Sequence, residues 1–278
     1  MKVATIRTAD GTRAVRVDGD TLTDLGVPDV RALLETGDWQ KAAAAATGRT
    51  WPGADVTFAT LVPQPSKVVC VGLNYRTHIQ EMGRDLPQHP TLFTKFADTL
   101  IGAHDDIHRP VETDKLDWEA ELTVVIGKPV RRADAAAAEA AIAGFTVMND
   151  ITCRDFQFRT KEWTQGKNWD SSTPVGPVMV TPDELPGGVR PALAISCQVD
   201  GELMQKDSTG DLLFDPVALV QYVSTIIRLN PGDLIATGTP GGVGHARKPE
   251  VYLHAGQTVV TEIEGVGRLE NVVVADPA

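Results

Sequence analysis

The sequence predicts an α+β fold that is mostly β, with a small β-rich N-terminal domain and a larger domain of mixed sheets. Segments in which apolar and polar residues alternate recur along the chain, as they do in half-buried strands. Few segments have the periodicity of a helix. The predicted strands do not alternate regularly with helices, which disfavours a doubly wound parallel sheet.

The first 64 residues are the predicted N-terminal domain. Residues 2–25 alternate apolar and polar side chains and are interrupted by Asp-Gly at positions 10–11 and 18–19, a pair typical of hairpin turns. Residues 29–48 have helical periodicity and end at a glycine. Pro63 and Pro65 then mark a linker, so the second domain is predicted to span residues 65–278.

The second domain is predicted to consist mainly of strands. Residues 67–75, 119–128, 145–153 and 232–239 are predicted strands, and residues 257–274 a closing hairpin with its turn at residues 265–267. A short Ala-rich helix is predicted between Asp134, its N-cap, and Gly144, its stop signal. Residues 215–229 have the clearest amphipathic helical pattern.

Composition limits the partners of the chain. Its 278 residues carry a formal net charge of −11 and have a sequence pI near 5.0. Nucleic acids and anionic membranes bind basic surfaces, so neither is an expected partner. An anionic substrate is still compatible with this charge if a metal ion binds. The chain has no apolar run of membrane-spanning length and no signal-peptide core at its start, so we expect a cytoplasmic protein.

Acidic residues occupy every second position of "LDWEAEL", residues 116–122. Asp117, Glu119 and Glu121 share one face if this stretch is a strand, because successive side chains point to opposite faces. Spaced acids on an exposed sheet edge are one interpretation. The following "LTVVIG" is apolar, however, and Asp150 ends another apolar strand, so carboxylates on two core strands indicate a bound cation. All-oxygen ligands favour Mg²⁺, with Mn²⁺ or Ca²⁺ as alternatives.

A histidine and a carboxylate lie three residues apart in "NYRTHIQEMG". His78 and Glu81 face each other if this segment is helical. A carboxylate beside an imidazole fixes its tautomer and raises its basicity, which suits a general base that acts on water. A weak pair on a surface helix is the alternative.

Six separated segments occur in an order that resembles the fumarylacetoacetate hydrolase family. They are "GLNYRTHIQEMG", "PTLFTKFADTLIG", "LDWEAELTVVIGK", "FTVMNDITCRDFQ", "GKNWDSSTPVGP" and "DLIATGTPGGVG", and they extend over about residues 67–244. The resemblance implies a compact mixed β-roll, often preceded by a small N-terminal domain, and a homodimer. It also implies that Glu119, Glu121 and Asp150 are ligands of a divalent metal.

The resemblance assigns further site residues. It implies a segment that orders over the substrate and carries His78 and Glu81 as the dyad that activates water. Lys95 and Lys167 match lysines near the metal, and Lys167 is expected to stabilise an enolate. Arg154 and Gln157 match a substrate-positioning pair. In "TGTPGGVG", which lacks the Gly-Lys-Ser/Thr of a phosphate loop, backbone amides and the Thr239 hydroxyl are expected to bind a carboxylate.

The predicted function is Mg²⁺-dependent hydrolysis of a carbon–carbon bond in acylpyruvate-type 2,4-diketo acids such as fumarylpyruvate. The expected partner is thus a small anionic 2-keto acid. The candidates to bind a distal carboxylate of this acid are Arg154, Arg159 and Lys161. The same metal site suits two alternatives: oxaloacetate decarboxylation, and isomerisation or decarboxylation of hydroxymuconate-type diacids. A non-catalytic binding protein on the same scaffold is a further alternative.

Overall fold

The computed structural model of the chain describes residues 1–81, 83 and 85–276, without the side chain of Glu81. The strands of this part of the chain are, in order, β1 (Lys2–Thr8), β2 (Gly11–Asp18), β3 (Thr21–Asp24), β4 (Thr50–Pro52), β5 (Thr57–Phe58), β6 (Val68–Gly72), β7 (Thr91–Lys95), β8 (Leu100–Ile101), β9 (Ile107–Arg109), β10 (Leu116–Asp117), β11 (Ala120–Ile126), β12 (Ile142–Asn149), β13 (Thr152–Cys153), β14 (Thr173–Val180), β15 (Ala194–Val199), β16 (Glu202–Ser208), β17 (Leu234–Ala236), β18 (Thr258–Ile263) and β19 (Gly267–Ala275). The α-helices are α1 (Val30–Leu34), α2 (Trp39–Ala45), α3 (Arg76–Glu81), α4 (Ala135–Ala141), α5 (Arg154–Gln157), α6 (Thr164–Lys167) and α7 (Pro216–Ile226). Single 3₁₀ turns lie at Gly53–Asp55, Ala97–Thr99, Pro182–Glu184, Thr209–Asp211 and Gly244–Ala246.

A 12-stranded mixed sheet is the main layer of the fold. Its strand order is β4-β3-β2-β1-β14-β12-β11-β17-β6-β7, with β5 paired to β1 and β8 paired to β14. Most neighbours are antiparallel, but β17 runs parallel to β6, and β8 parallel to β14. Strands β11, β12 and β17, at the centre, are buried along their full length. The predicted α+β, mostly β fold is therefore confirmed.

A second sheet of five strands packs beside the first, in the order β16-β15-β18-β19-β9. Its centre includes the closing hairpin, which pairs Thr258 with Val272 and Ile263 with Gly267. A third, two-stranded sheet joins β10 to β13 through Leu116↔Cys153 and Asp117↔Thr152. Both strands of this short sheet are continuous in sequence with central strands of the main sheet, because β11 follows β10 and β13 follows β12.

The predicted hairpins of the N-terminal segment are present. Strand β1 pairs with β2 and β2 with β3, and the glycines of both Asp-Gly turns have positive φ, +109° at Gly11 and +58° at Gly19. Strand β1 also pairs with β14, Lys2 with Val180, so the N-terminal segment shares a sheet with the remainder of the chain. The boundary between residues 64 and 65 stays a prediction.

The predicted helices are present, but residues 29–48 form two short helices, α1 and α2, rather than one that ends at Gly48, and the Ala-rich helix also ends earlier. The side chain of Asp134 caps α4 by accepting a hydrogen bond of 2.8 Å from the Ala137 amide. Gly144 does not stop this helix, which ends at Ala141 and is followed directly by β12. A Cβ atom on Gly144 would lie 2.4 Å from the carbonyl oxygen of Val180, so this glycine allows β12 and β14 to approach closely.

Candidate metal centre and active-site cavity

Three buried carboxylates meet where β11 and β12 approach the short sheet. Glu119, Glu121 and Asp150 each offer an oxygen, and these oxygens all lie within 4.8 Å of one another. The β11–β12 register places them together, because Glu121 is opposite Met148 and the amide of Asp150 donates a 2.8 Å hydrogen bond to the carbonyl oxygen of Glu119. The predicted acids of two separate strands thus form one cluster.

The segment "LDWEAEL" is not the single strand that its alternation predicts. Strand β10 ends at Asp117 and β11 begins at Ala120, so the chain leaves one sheet and enters another at Trp118 and Glu119. The amide of Glu119 donates instead to the side chain of Asn149, at 2.8 Å. Both faces of the segment are buried, because the carboxylates are enclosed by cationic and polar groups rather than exposed to solvent.

Cationic side chains surround the acidic cluster. The Nζ of Lys167 lies 2.7 Å from Glu119 Oε2 and 2.8 Å from Asp150 Oδ2. The Nζ of Lys95 lies 2.8 Å from Asp150 Oδ1 and also donates to the carbonyl oxygens of Ile151 and Lys167. Both lysines are buried, so the ion pairs rather than solvent hold their charges.

Close packing of two short helices positions Lys167, which ends α6. The preceding residue, Gly166, lies against α5, and a Cβ atom there would lie 2.5 Å from the Cα of Gln157. Any larger side chain would separate the two helices. The glycine before Lys167 is therefore required for the ammonium group to reach the acids.

Burial and neighbouring charges divide the acids by pKa. Burial, with Asp150 and Glu119 as like-charged neighbours, raises the pKa of Glu121 well above its ordinary value. Burial also acts to raise the pKa of Asp150, but Lys167 and Lys95 outweigh it and lower that pKa. Burial acts to lower the pKa of Lys167, yet Asp150 and Glu119 raise it overall. Asp150 and Lys167 thus remain ionised, whereas Glu121 readily holds a proton.

The donor set fits a hard divalent cation. The Oε1 atom of Glu121 is buried and accepts no hydrogen bond, although Oε2 accepts one of 2.8 Å from the Gly238 amide. Asp150 Oδ1 likewise accepts no hydrogen bond, apart from its ion pair with Lys95. Buried oxygens with free lone pairs are costly unless a cation or proton binds them. Two carboxylates with such oxygens, beside the ion-paired Glu119, suit Mg²⁺, Mn²⁺ or Ca²⁺.

Asp117 matches no ligand position of the family, and the sequence left open whether it is an acceptor behind the ligands or the partner of a basic side chain. It is the most extensively bonded acid of the site. It is fully buried and ion-paired to Arg154 Nε at 2.7 Å. Its Oδ1 accepts from the amides of Trp118 (2.8 Å) and Gly244 (2.7 Å), and its Oδ2 from that of His245 (3.0 Å). With no oxygen left for a metal, Asp117 is an anchor for the backbone and for Arg154.

Arg154 connects this anchor to the acidic cluster. Its Nη1 lies 2.7 Å from Glu119 Oε1 and donates to the side-chain oxygen of Gln157 at 2.9 Å. Burial acts to lower the pKa of Arg154, but Asp117 and Glu119 raise it overall, so the guanidinium stays charged. Its Nη2 is buried and donates to no described residue. This nitrogen is available to a substrate.

A cavity of about 780 Å³ opens beside the cluster. Its walls include most of the predicted catalytic and substrate-binding side chains together with one acid of the cluster: His78, Glu119, Arg154, Gln157, Lys167 and Thr239. Its volume is within the range of about 300–1,000 Å³ that is typical of ligand sites. The individual roles of these lining side chains stay predictions. The side chain of Glu81 lies outside the described residues, and with it the predicted His78–Glu81 pair.

The glycine-rich loop after β17 bonds differently from the sequence-based expectation. The amide of Gly238 donates to Glu121, and the Thr239 hydroxyl accepts a 2.8 Å hydrogen bond from the amide of Gln205. The backbone of this loop therefore binds a carboxylate of the acidic cluster. Thr239 still lines the cavity, where its hydroxyl proton can be donated to a ligand.

Sequence reasoning missed the part of the cavity wall that the segment of residues 242–250 contributes. Within this segment, named the 242–250 loop, His245, Arg247, Lys248 and Glu250 line the cavity. By contrast Arg159 and Lys161, predicted to bind a distal carboxylate, are exposed and line no part of it. The guanidinium of Arg159 instead stacks on Phe156, with its Cζ 3.4 Å from the ring centroid. The change from glycine-rich to basic composition after residue 244 was the available signal.

The fold is that of an enzyme family. Residues 67–274 match the model of the C-terminal domain of fumarylacetoacetate (FAA) hydrolase. The chain therefore belongs to the fumarylacetoacetate hydrolase family, and the resemblance drawn from the six sequence segments is confirmed.

Relatives within the family have several activities. The chain is 43% identical over 224 residues to oxaloacetate tautomerase Fahd2a, a mitochondrial protein of Rattus norvegicus, which covers 80% of this chain and 71% of the relative. The structure is similar to fumarylacetoacetate hydrolase of Exiguobacterium antarcticum (TM-score 0.88, 32% identity, 99% of each chain). It is also similar to 5-carboxymethyl-2-hydroxymuconate delta-isomerase of Mycobacterium smegmatis (TM-score 0.81, 33% identity, 100% of each chain).

The described residues include no helix long and apolar enough to cross a membrane. The cytoplasmic location and the homodimer stay predictions.

Proposed function

We propose that this protein is a divalent-metal-dependent enzyme that enolises small 2-keto acids, with oxaloacetate as the first candidate substrate. The observation that carries the proposal is the buried cluster of Glu119, Glu121 and Asp150, neutralised by lysines at the wall of a ligand-sized cavity. The 43% identity to a protein named oxaloacetate tautomerase favours oxaloacetate over the acylpyruvates that the sequence motifs suggested.

The three acids would hold the metal, for which we propose Mg²⁺. When bound, such an ion acts as a Lewis acid that polarises the keto group of a 2-keto acid. With Glu121 deprotonated as a metal ligand, four carboxylates of the site, counting Asp117, face three cationic side chains, which leaves one negative charge in excess. A divalent cation reverses this sign, so the loaded site attracts an anionic substrate.

Lys167 and Arg154 supply the charge that an enolate needs. The ammonium group of Lys167 stays protonated because the adjoining acids raise its pKa, and it lies at the cavity wall. A fixed cation beside an oxygen that gains negative charge lowers the barrier to enolisation. The unpaired Nη2 of Arg154 and the amide of Gln157 orient the substrate carboxylate or keto oxygen.

Enolisation also needs a base that removes a proton from C3 of the substrate. His78 lines the same cavity on helix α3 and is the imidazole of the predicted set. A neutral imidazole accepts the proton and returns it to the substrate oxygen or to water. Breaking the C3–H bond and protonating the oxygen of C2 converts the keto form of oxaloacetate into its enol.

The test compares three reactions of the Mg²⁺-supplemented protein. Ultraviolet absorbance follows interconversion of the keto and enol forms of oxaloacetate, and a coupled lactate dehydrogenase assay detects pyruvate. We expect faster interconversion without pyruvate release, and loss of the activity in Glu121→Gln but not in Glu264→Gln, an exposed glutamate on the turn after β18. Stoichiometric pyruvate from oxaloacetate would identify a decarboxylase instead, and a fully active Glu121→Gln protein would refute the metal centre.

Hydrolysis of an acylpyruvate is the second candidate. The size of the cavity favours it, because about 780 Å³ leaves room for a longer diketo acid and an attacking water beside His78. Fumarylpyruvate and acetylpyruvate are the substrates to assay, with loss of diketo absorbance and release of pyruvate as readouts. His78→Asn should abolish hydrolysis, which requires an activated water. Turnover of neither acid by the Mg²⁺-loaded protein would exclude this candidate.

A further inference from the structure

The 242–250 loop is held firmly at the wall of the cavity. Asp117 accepts hydrogen bonds from the amides of Gly244 and His245. A Cβ atom on Gly244 would lie 1.9 Å from the carbonyl oxygen of Val251, so only glycine allows this approach of the two backbone segments. The loop therefore presents its side chains to the cavity from a fixed backbone.

Arg247 extends from this loop with part of its guanidinium unused. Its Nη2 donates a 2.9 Å hydrogen bond to the carbonyl oxygen of Met204, and its Nε a longer one of 3.4 Å to that of Gly242. These two carbonyls fix the plane of the group. Among the described residues, Nη1 has no hydrogen-bond acceptor and no carboxylate lies within 4.0 Å of the guanidinium. The charge of Arg247 is thus oriented but not neutralised.

Lys248 adds a second cation to the same wall. It is exposed and forms no hydrogen bond or ion pair with any part of the chain that the structure describes. The nearby acid, Glu250, is already bound, to Lys115 at 3.2 Å, to the hydroxyl of Tyr252 at 2.8 Å and to His245 at 3.4 Å. The 242–250 loop therefore carries an excess of positive charge at the cavity.

We propose that Arg247 and Lys248 form a subsite for a second carboxylate, which makes the protein selective for 2-keto diacids over 2-keto monoacids. This inference rests on the proposed function, because it assumes that the keto acid end of the ligand binds beside Glu119 and Lys167. The remainder of such a ligand then occupies the part of the cavity that the 242–250 loop encloses. An arginine with free N–H groups binds a carboxylate strongly and in a defined orientation.

The experiment measures binding rather than turnover. Calorimetric titration of the Mg²⁺-loaded protein compares 2-oxoglutarate, a diacid, with 2-oxopentanoate, which has the same chain length and no second carboxylate. We expect the diacid to bind about tenfold or more tightly, as one charge-assisted hydrogen-bonded pair supplies. Arg247→Gln should remove most of this preference, and Arg247→Lys should restore part of it.

Two further variants separate recognition from structure. Lys248→Gln removes a side chain that bonds to no described residue, so its effect on the preference cannot come from misfolding. Lys161→Gln, an exposed lysine outside the cavity, is the matched control and should keep the full preference. Equal affinity of the unmodified protein for the two acids, or no measurable binding of 2-oxoglutarate, would overturn the subsite. Equal weakening of both acids by Arg247→Gln, with no effect of Lys248→Gln, would also overturn it.

The subsite and the proposed function fail separately. Catalysis is measured as exchange of the C3 protons of oxaloacetate and 2-oxobutanoate with deuterated solvent. A protein that prefers diacids in calorimetry but enolises neither compound would retain the subsite and lose the proposed function. A protein that enolises both compounds equally well, with no preference in binding, would retain the proposed function and lose the subsite.

Discussion

Replacing Lys167 by methionine tests whether the acidic cluster depends on its internal cations. The ammonium group pairs with Glu119 at 2.7 Å and Asp150 at 2.8 Å, and its side chain is 1% exposed. Methionine retains most of the apolar stem and removes the charge. Loss of one partner from a buried ion pair costs about 3–5 kcal/mol, because the remaining carboxylates stay buried without compensation. We expect a loss of stability near the lower end of this range, since Lys95 still contacts Asp150 and Arg154 still contacts Glu119.

Thermal unfolding in the presence of EDTA measures this loss. With an unfolding entropy of ~2.1 cal/mol/K per residue, the 278 residues give ~0.6 kcal/mol per kelvin, so ~3 kcal/mol lowers Tm by ~5 °C. Mg²⁺ at ~100 times its Kd stabilises the folded protein by ~2.7 kcal/mol. Because the variant site is more negative, we expect its Mg²⁺-dependent rise in Tm to be larger than that of the unmodified protein.

Lys128→Met, at an exposed lysine that bonds to no described residue, is the matched control and should leave Tm within a degree or so. The reasoning would be refuted if Lys167→Met melted with the control in EDTA. A variant destabilised equally in EDTA and Mg²⁺, with no added response to the metal, would show that packing rather than charge is responsible.

Three further predictions concern the same site. Glu119→Gln should reduce the calorimetric Mg²⁺ signal at least tenfold, and Glu262→Gln, at an exposed glutamate, should not; an unreduced signal would contradict the ligand assignment. Because the pKa of Glu121 is raised, Mg²⁺ should displace a proton from it and should bind more weakly as pH falls. Calorimetric titration in two buffers of different ionisation enthalpy measures the released proton. Binding that does not depend on pH would contradict this prediction. Asp117→Asn should lower the free energy of unfolding by ~3 kcal/mol and expose the 242–250 loop to protease, whereas Asp170→Asn should do neither. Equal proteolysis of the two variants would contradict the role of Asp117 as the anchor of this loop.

The raised pKa of Glu121 also has a sign for stability. Between the ordinary carboxyl pKa and the raised one, the folded metal-free protein holds a proton that the unfolded chain has lost. Stability therefore falls as pH rises through this window. Mg²⁺ offsets the loss, because the metal takes the place of the proton. The Tm of the metal-free protein should then fall as pH rises over this range, whereas this group should give the metal-saturated protein no such fall.

Local patterns predicted much of the fold. The Asp-Gly turns of the first hairpins and the N-cap Asp134 depend on residues within a few positions, and each is present. The pairing of β1 with β14 could not be predicted in this way, because its partners are separated by about 180 residues. Likewise, the alternation in "LDWEAEL" gave no sign that the chain changes sheet at Trp118.

The candidate site divides along the same line. The spacing of Glu119 and Glu121, together with an acid at the end of a second apolar strand, sufficed to predict the cluster that the structure brings together. Asp117 has the same spacing, but its donors lie at Gly244 and His245, more than 120 positions away. The position of Arg247 at the cavity follows from that distant anchor. No local pattern of the sequence contains it.

The anchor at Asp117 acts on backbone amides, and this has a consequence for how the site can diverge. Its bonds to the 242–250 loop do not involve the side chains of His245, Arg247 or Lys248. Substitutions at these three positions can therefore change the chemistry of one cavity wall while the path of the chain is retained. The three acids of the cluster lack this freedom, since each is fixed by a cation or an amide. The fold thus separates a candidate metal centre, fixed by its neighbours, from a loop whose side chains can be exchanged.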